Sequence, residues 1–184
     1  MPETLAAPTA RVFFALWPDA QVRAGLMRQG LQMHSTLGGK LTHADSVHLT
    51  LVFLGEVGPE QLPRLQTRAS SVRFAPFVLC IDRAGCWRHN SIGWLGPQQT
   101  PAQLQHLVDA LESALGEEGF EFDHRAYAAH ITLLRKARCT PIETKVAAIE
   151  WPVREFVLMR SELHSQGSRY STIGRWAAHE EDNA

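Results

Sequence analysis

The sequence is short of the features that would place a chain in a special class. It has three cysteines, Cys80, Cys86 and Cys139, with no CxxC spacing among them. That odd, scattered set speaks against a disulfide framework or a zinc knuckle and predicts reduced thiols in a cytoplasmic setting. The longest early apolar run, Val12 to Trp17, covers six residues after a polar, proline-containing lead-in. It is too short to span a membrane and lacks the basic flank of a signal peptide. Excess charge is missing as well: 18 Lys plus Arg against 19 Asp plus Glu leave a formal net charge of −1. No global field draws a long nucleic acid onto the surface, so any such ligand has to be held locally. With no low-complexity tract, residues 1–10 read as a flexible tail and 11–178 as a single domain, in a chain of 184 residues. A chain of that size buries roughly 70% of its unfolded surface.

What is present is a mixture of strand and helix signals. Arg11 to Trp17 reads as a strand stopped by Pro18, and Ala20 to Gln32 as a helix with Val22, Leu26, Met27, Gly30 and Leu31 at helical spacing. Leu37 to Asp45 reads as a loop, Val47 to Leu54 as a strand, and Pro59 to Ser71 as a helix. Phe77 to Asp82 and Ser91 to Leu95 form two more strands around a connection at Gly85 to Asn90. Leu104, Leu107, Val108, Leu111 and Leu115 make the clearest amphipathic stripe, ending near Gly116 or Gly119. His130 to Leu134, Val153 to His164 and Tyr170 to Trp176 are later strands, while Pro141 to Ala148 has no clear type. Strands and helices without regular alternation point to the α+β class.

Two segments carry the chemistry: His48-Leu49-Thr50-Leu51 and His130-Ile131-Thr132-Leu133, 82 residues apart. Side chains alternate in a strand, so each His and its Thr face one way and the apolar residues between them face the other. The spacing is too long for a solenoid repeat, and an internal duplication with two lobes around one cleft explains it. Two imidazoles sharing a pocket form an acid and base pair near neutral pH, and two hydroxyls can donate to a charged oxygen. That set suits in-line attack at phosphorus without a metal or other cofactor. A lone His-x-Thr is a weak signal; two copies in matching strands are a much stronger one. A zinc site is the competing reading, but threonine is not a usual zinc ligand, and neither motif contains Cys, Asp or Glu. Phe13 on the first strand is a candidate pocket residue, although core burial is its default. Arg135, beside Lys136 and Arg138, is placed to reach a phosphate. Strict alternation sets it on the face opposite His130, so that role requires a bulge or the strand's end there.

These residues resemble the two-histidine (2H) phosphoesterase superfamily and, within it, the RNA 2′,3′-cyclic phosphodiesterases, also known as 2′-5′ RNA ligases. The match runs through Val12 to Leu16, His48 to Gly55, Tyr127 to Lys136, and Ser161 to Gly167 with Tyr170, nearly the whole chain. Ala129 stands where the family often has proline, which leaves the approach to the second histidine less rigid. The resemblance implies a bilobed, pseudo-two-fold fold of duplicated antiparallel sheets with flanking helices around a central cleft. It also implies hydrolysis of a terminal 2′,3′-cyclic phosphate to a 2′-phosphate, with His48 as proton donor and His130 as proton acceptor. By the same analogy Thr50, Thr132 and Arg135 hold the phosphate. The expected partner is RNA ending in a cyclic phosphate, or a small cyclic nucleotide, met by a monomer with no membrane and no obligate protein partner. Reversible 2′-5′ ligation at the same site and a non-catalytic RNA-terminus binding module are the alternatives.

Overall fold

A computed structural model describes residues 9–142, 144–164 and 167–179. Its strands are β1 (Ala10–Leu16), β2 (Lys40–Leu41), β3 (Leu49–Val57), β4 (Phe77–Trp87), β5 (Ile92–Gly96), β6 (Ile131–Arg135), β7 (Lys145–Val153), β8 (Glu155–His164) and β9 (Gly167–Ala177). The helices are α1 (Ala20–Leu37), α2 (Leu62–Ala69) and α3 (Ala102–Gly116). The α+β class is therefore the class the chain adopts. The two halves expected as lobes are halves of one sheet, in the order β7-β4-β5-β6-β3-β1-β8-β9, with β2 added on β6. Every pairing is antiparallel. The halves meet edge to edge where β3 pairs with β6 at Leu49↔Ile131.

Alternation along the strands separates two apolar clusters. Val12, Phe14, Leu16, Leu49, Leu51, Ile131 and Leu133 join the helix residues Leu26, Leu104, Leu107 and Leu111 in the main core. Phe13, Ala15, Val157 and Met159 form a smaller cluster on the other side, with Trp17 and Tyr170 packed against it. Each fully buried Leu or Phe stabilises the fold by about 1.5–3 kcal/mol, so the helix-covered side carries most of the stability. α1 packs on β5, β6 and β7, while α3 packs on β3 and α2. The Asp19 side chain caps α1, its Oδ1 accepting from the Val22 N–H at 2.8 Å.

Several boundaries move relative to the sequence reading. α1 runs on past Gln32 to Leu37, because Met33 and Leu37 extend its buried stripe through the polar His34, Ser35 and Thr36. The expected 37–45 loop contains β2 and a 3-10 turn at Ala44–Ser46. β7 emerges from a segment with no clear type; it is an edge strand, where Pro152 is tolerated. Ala10 already belongs to β1, and residues 1–8 of the expected tail lie outside the described residues. The thiol expectation is overturned for two of the three cysteines: Cys86 and Cys139 are disulfide-bonded, with Cα atoms 5.4 Å apart, and only Cys80 is free. The cytoplasmic expectation accordingly loses its cysteine argument. Among the described residues, no helix is long and apolar enough to cross a membrane.

Candidate active site

The Leu49↔Ile131 pairing joins the two motifs directly. In an antiparallel ladder it sets His48 beside Thr132 and Thr50 beside His130, with all four side chains on one face. Leu49 and Ile131 point the other way and are fully buried. The four polar residues line a cleft of about 770 Å³, together with Phe13, Lys40, Arg135 and Tyr170. A second hollow of about 430 Å³, walled by Val78, Cys80, Asp82 and Gln98, contains neither motif.

Both imidazoles are held in the same way. His48 Nδ1 lies 2.7 Å from the carbonyl oxygen of Ser46, and His130 Nδ1 lies 2.8 Å from that of Ala128, in each case two residues upstream. A carbonyl only accepts, so each Nδ1 carries a proton and donates it. Nε2 is left in both rings as the nitrogen that could exchange a proton with a ligand.

Their surroundings differ. Trp17 stacks flat on His48, with centroids 5.2 Å apart and planes inclined by 3°. Phe13 and Tyr170 close around the same ring at 4.9 and 5.4 Å. Burial pushes the His48 pKa down to about 4; the Ser46 hydrogen bond opposes that shift, and the nearby His130 and Arg135 add to it. Trp87 meets His130 edge-on at 4.6 Å. Burial lowers the His130 pKa too, against the pull of the Ala128 hydrogen bond. At neutral pH both rings of the open cleft are therefore uncharged.

Arg135 reaches the cleft through a bulge. β5 and β6 pair as Trp94↔Thr132 and Gly93↔Leu134, so β6 contains one extra residue, Leu133. Leu133 and Leu134 are both buried, and the alternation resets in time to bring Arg135 into the lining. Gly39 fixes the backbone beside it. It has φ of +83°, and a Cβ there would lie 2.6 Å from the Arg135 carbonyl oxygen, so no other residue fits. Phe13 is 4% exposed and supports the His48 ring from the pocket floor.

Among the described residues neither the Thr50 nor the Thr132 hydroxyl has a hydrogen-bond partner, which leaves both available to a ligand. Tyr127 ties the motifs together by donating its hydroxyl to the Thr50 carbonyl at 3.0 Å. Among the described residues no group of three or more His, Cys, Asp or Glu is arranged to hold a metal. Sequence reasoning did not single out Trp17, Trp87 or Lys40 for the site. For Trp17 a signal existed: it continues, one residue beyond the end of β1, the alternation of Phe13 and Ala15. Trp87 and Lys40 come from distant strands and carry no local signal.

A family model described as LigT like phosphoesterase matches residues 16–94 and 95–170, and each matched segment contains one His-x-Thr. The chain is 34% identical to the RNA 2′,3′-cyclic phosphodiesterase of Escherichia coli (strain K12) over 169 residues, 91% of this chain and 96% of the relative. It is 30% identical to the protein of the same name from Archaeoglobus fulgidus over 176 residues, 89% of this chain and 97% of that one. The crystal structure of E. coli LigT in apo form superposes with a TM-score of 0.87 at 32% identity, over 95% of this chain and 100% of that chain. The structure of E. coli LigT complexed with 3′-AMP superposes at 0.86 with 33% identity, over 94% and 99%.

Proposed function

The chain belongs to the LigT-like phosphoesterase family, and we propose that it opens RNA 2′,3′-cyclic phosphate ends to 2′-phosphates with His48 and His130 as acid and base. Hydrolysis of the cyclic phosphate rests on the family match and on relatives that share most of the chain's length. The observation that carries the residue roles is the pair of matched imidazoles, each clamped at Nδ1 by a carbonyl two residues upstream and each beside a free threonine hydroxyl.

His130 Nε2 takes a proton from water as the water oxygen bonds to phosphorus, and His48 Nε2 gives a proton to the departing 3′ oxygen. Thr50 and Thr132 donate to the non-bridging oxygens, and Arg135 pairs with their charge. His48 is neutral in the empty cleft. The arriving phosphate anion favours its protonated form, and the Trp17 face stacked on it stabilises a cation, which supports His48 as the donor. Threonines rather than acidic residues beside the histidines support chemistry without a metal or cofactor. The same proposal has the enzyme acting as a monomer in the cytoplasm, with no obligate protein partner.

The test is turnover of an oligonucleotide ending in a 2′,3′-cyclic phosphate, in EDTA, with and without a 5′-hydroxyl acceptor. Wild type should yield the 2′-phosphate in EDTA, and His48→Ala and His130→Ala should each lose at least about 10²-fold in kcat. Full turnover in either variant would sink the two-histidine mechanism. Joined product dominating over the 2′-phosphate would favour ligation, and binding without turnover would favour a binding module.

A further inference from the structure

The Cys86–Cys139 disulfide joins two segments that each reach the site, and the proposed chemistry does not use it. Cys86 is the penultimate residue of β4 and packs against the main core, so alternation turns the next side chain, Trp87, to the opposite face. There the indole meets the His130 ring edge-on, with Trp94 against it at 5.3 Å. Cys139 follows Arg135 by four residues, in the segment that leaves β6. One covalent bond therefore ties the strand end that carries Trp87 to the segment that carries Arg135.

The two segments meet in strained turns. Among the described residues only two that are not glycine have positive φ, Ser91 at 56° and Lys136 at 55°. Ser91 ends the connection between β4 and β5, and Lys136 directly follows Arg135 at the end of β6. The Ala137 N–H donates to the Ser91 carbonyl at 2.9 Å, so the turns lie against each other. Left-handed backbone at residues with side chains persists only where the surroundings hold it. A second hydrogen bond, from the Arg138 N–H to the Leu37 carbonyl at 2.8 Å, helps to do so, and the disulfide closes the junction. Water replaces such hydrogen bonds at a small net cost, whereas the covalent tie opens only by chemistry.

Cys86 and Cys139 are both part-exposed, which leaves the bond within reach of a reductant. Arg135, Lys136 and Arg138 precede Cys139, and no acidic residue occurs from 135 to 142, which favours a thiolate leaving at that sulfur. In the cytoplasm proposed for this enzyme, disulfides are usually transient or redox-sensing. We infer that Cys86–Cys139 is a redox switch on the phosphodiesterase. Closed, it holds Trp87 against His130 and Arg135 in the cleft; reduction by a protein dithiol releases both and slows turnover. A thiolate of the reductant attacks Cys86 Sγ, forming a mixed disulfide as the bond to Cys139 breaks and Cys139 leaves. The reductant's second thiol then displaces Cys86 and closes the reductant's own disulfide. Two electrons pass to the protein, and the two protons of the dithiol end on Cys86 and Cys139. This inference rests on the RNA-end reading above, because the site it regulates is the same one.

The experiment uses Cys80→Ser protein, in which the pair alone responds to redox agents. It compares kcat/KM on an oligonucleotide ending in a 2′,3′-cyclic phosphate for the oxidised, dithiothreitol-reduced and reoxidised forms, at a temperature where circular dichroism shows all three folded. Misplacing reacting groups by about 1 Å is enough for a loss of about tenfold on reduction, recovered on reoxidation. Adding Cys139→Ser, or Cys86→Ala, should fix the rate at the reduced value with or without reductant. The His130 ring resonances should shift between the oxidised and reduced forms, which a bond acting on stability alone would not cause. Equal or higher kcat/KM in the reduced folded form, or a bond that excess dithiothreitol leaves closed in the folded protein, would overturn the switch and leave a stabilising crosslink. If no form opens the substrate, the RNA-end reading fails separately, and His130 resonances unchanged by reduction would then overturn the clamp as well.

Discussion

If His48 has to carry a proton when the substrate arrives, kcat/KM must follow the protonated fraction of that ring in the free protein. Enclosure by Trp17, Phe13 and Tyr170 holds its pKa at about 4. Each pH unit above that value lowers the protonated fraction about tenfold, so near pH 7 roughly one molecule in 10³ has His48 charged. His130, also lowered by burial, has to stay neutral to accept the proton of water. The productive form, His48 charged and His130 neutral, is therefore most populated on the acid side, from about 4 up to the lowered pKa of His130. kcat/KM measured from about pH 4 to 9 should rise as pH falls, by up to about tenfold per unit, then level and decline. The alkaline limb of kcat should lie at higher pH, because the bound phosphate favours the imidazolium. A kcat/KM maximum above neutrality, with His48 titrating at or above its ordinary value by ring NMR in the free protein, would refute the reasoning.

Three further outcomes follow from the same geometry. His48 binds its proton less readily folded than unfolded, so its contribution to stability is present above its ordinary pKa and is lost as pH falls through the folded value. Denaturant unfolding at neutral pH and near pH 4 should differ by up to about 3 kcal/mol from this ring, and His48→Gln should remove that part. The Cys86–Cys139 bond closes a loop of 53 residues. Reducing it, or Cys139→Ser, should cost about 4 kcal/mol in the chain-entropy picture, measured by thermal unfolding, while Cys80→Ser should leave stability unchanged. Tyr127→Phe leaves the Thr50 carbonyl without its donor and should destabilise by about 1–3 kcal/mol, with kcat falling as Thr50 shifts. A variant as stable and active as wild type would show that this bond does not position the motif.

The two His-x-Thr pairs were legible because strand alternation is a local property. A period of two puts His and Thr on one face whatever lies beside the strand. The amphipathic stripe of α3 was legible for the same reason, as was the α+β class. Residue order also established that the motifs sit in similar surroundings, which is why a shared pocket could be expected. The bulges, the disulfide and the aromatic enclosure were a different matter. A bulge exists only relative to a partner strand, so nothing in Leu133-Leu134-Arg135 alone says which residue is extra. Cys86 and Cys139 are neighbours only after the β4–β5 hairpin has folded against the segment following β6. The His48 pKa depends on rings from β1, β9 and the turn after β1, brought together by pairings with no sequence signature. Sequence alone thus determined which groups could do the chemistry and on which face of each strand they stand. Only the tertiary structure decided how far those groups are desolvated and which distant residues complete the cleft, because both depend on contacts between segments far apart in the chain.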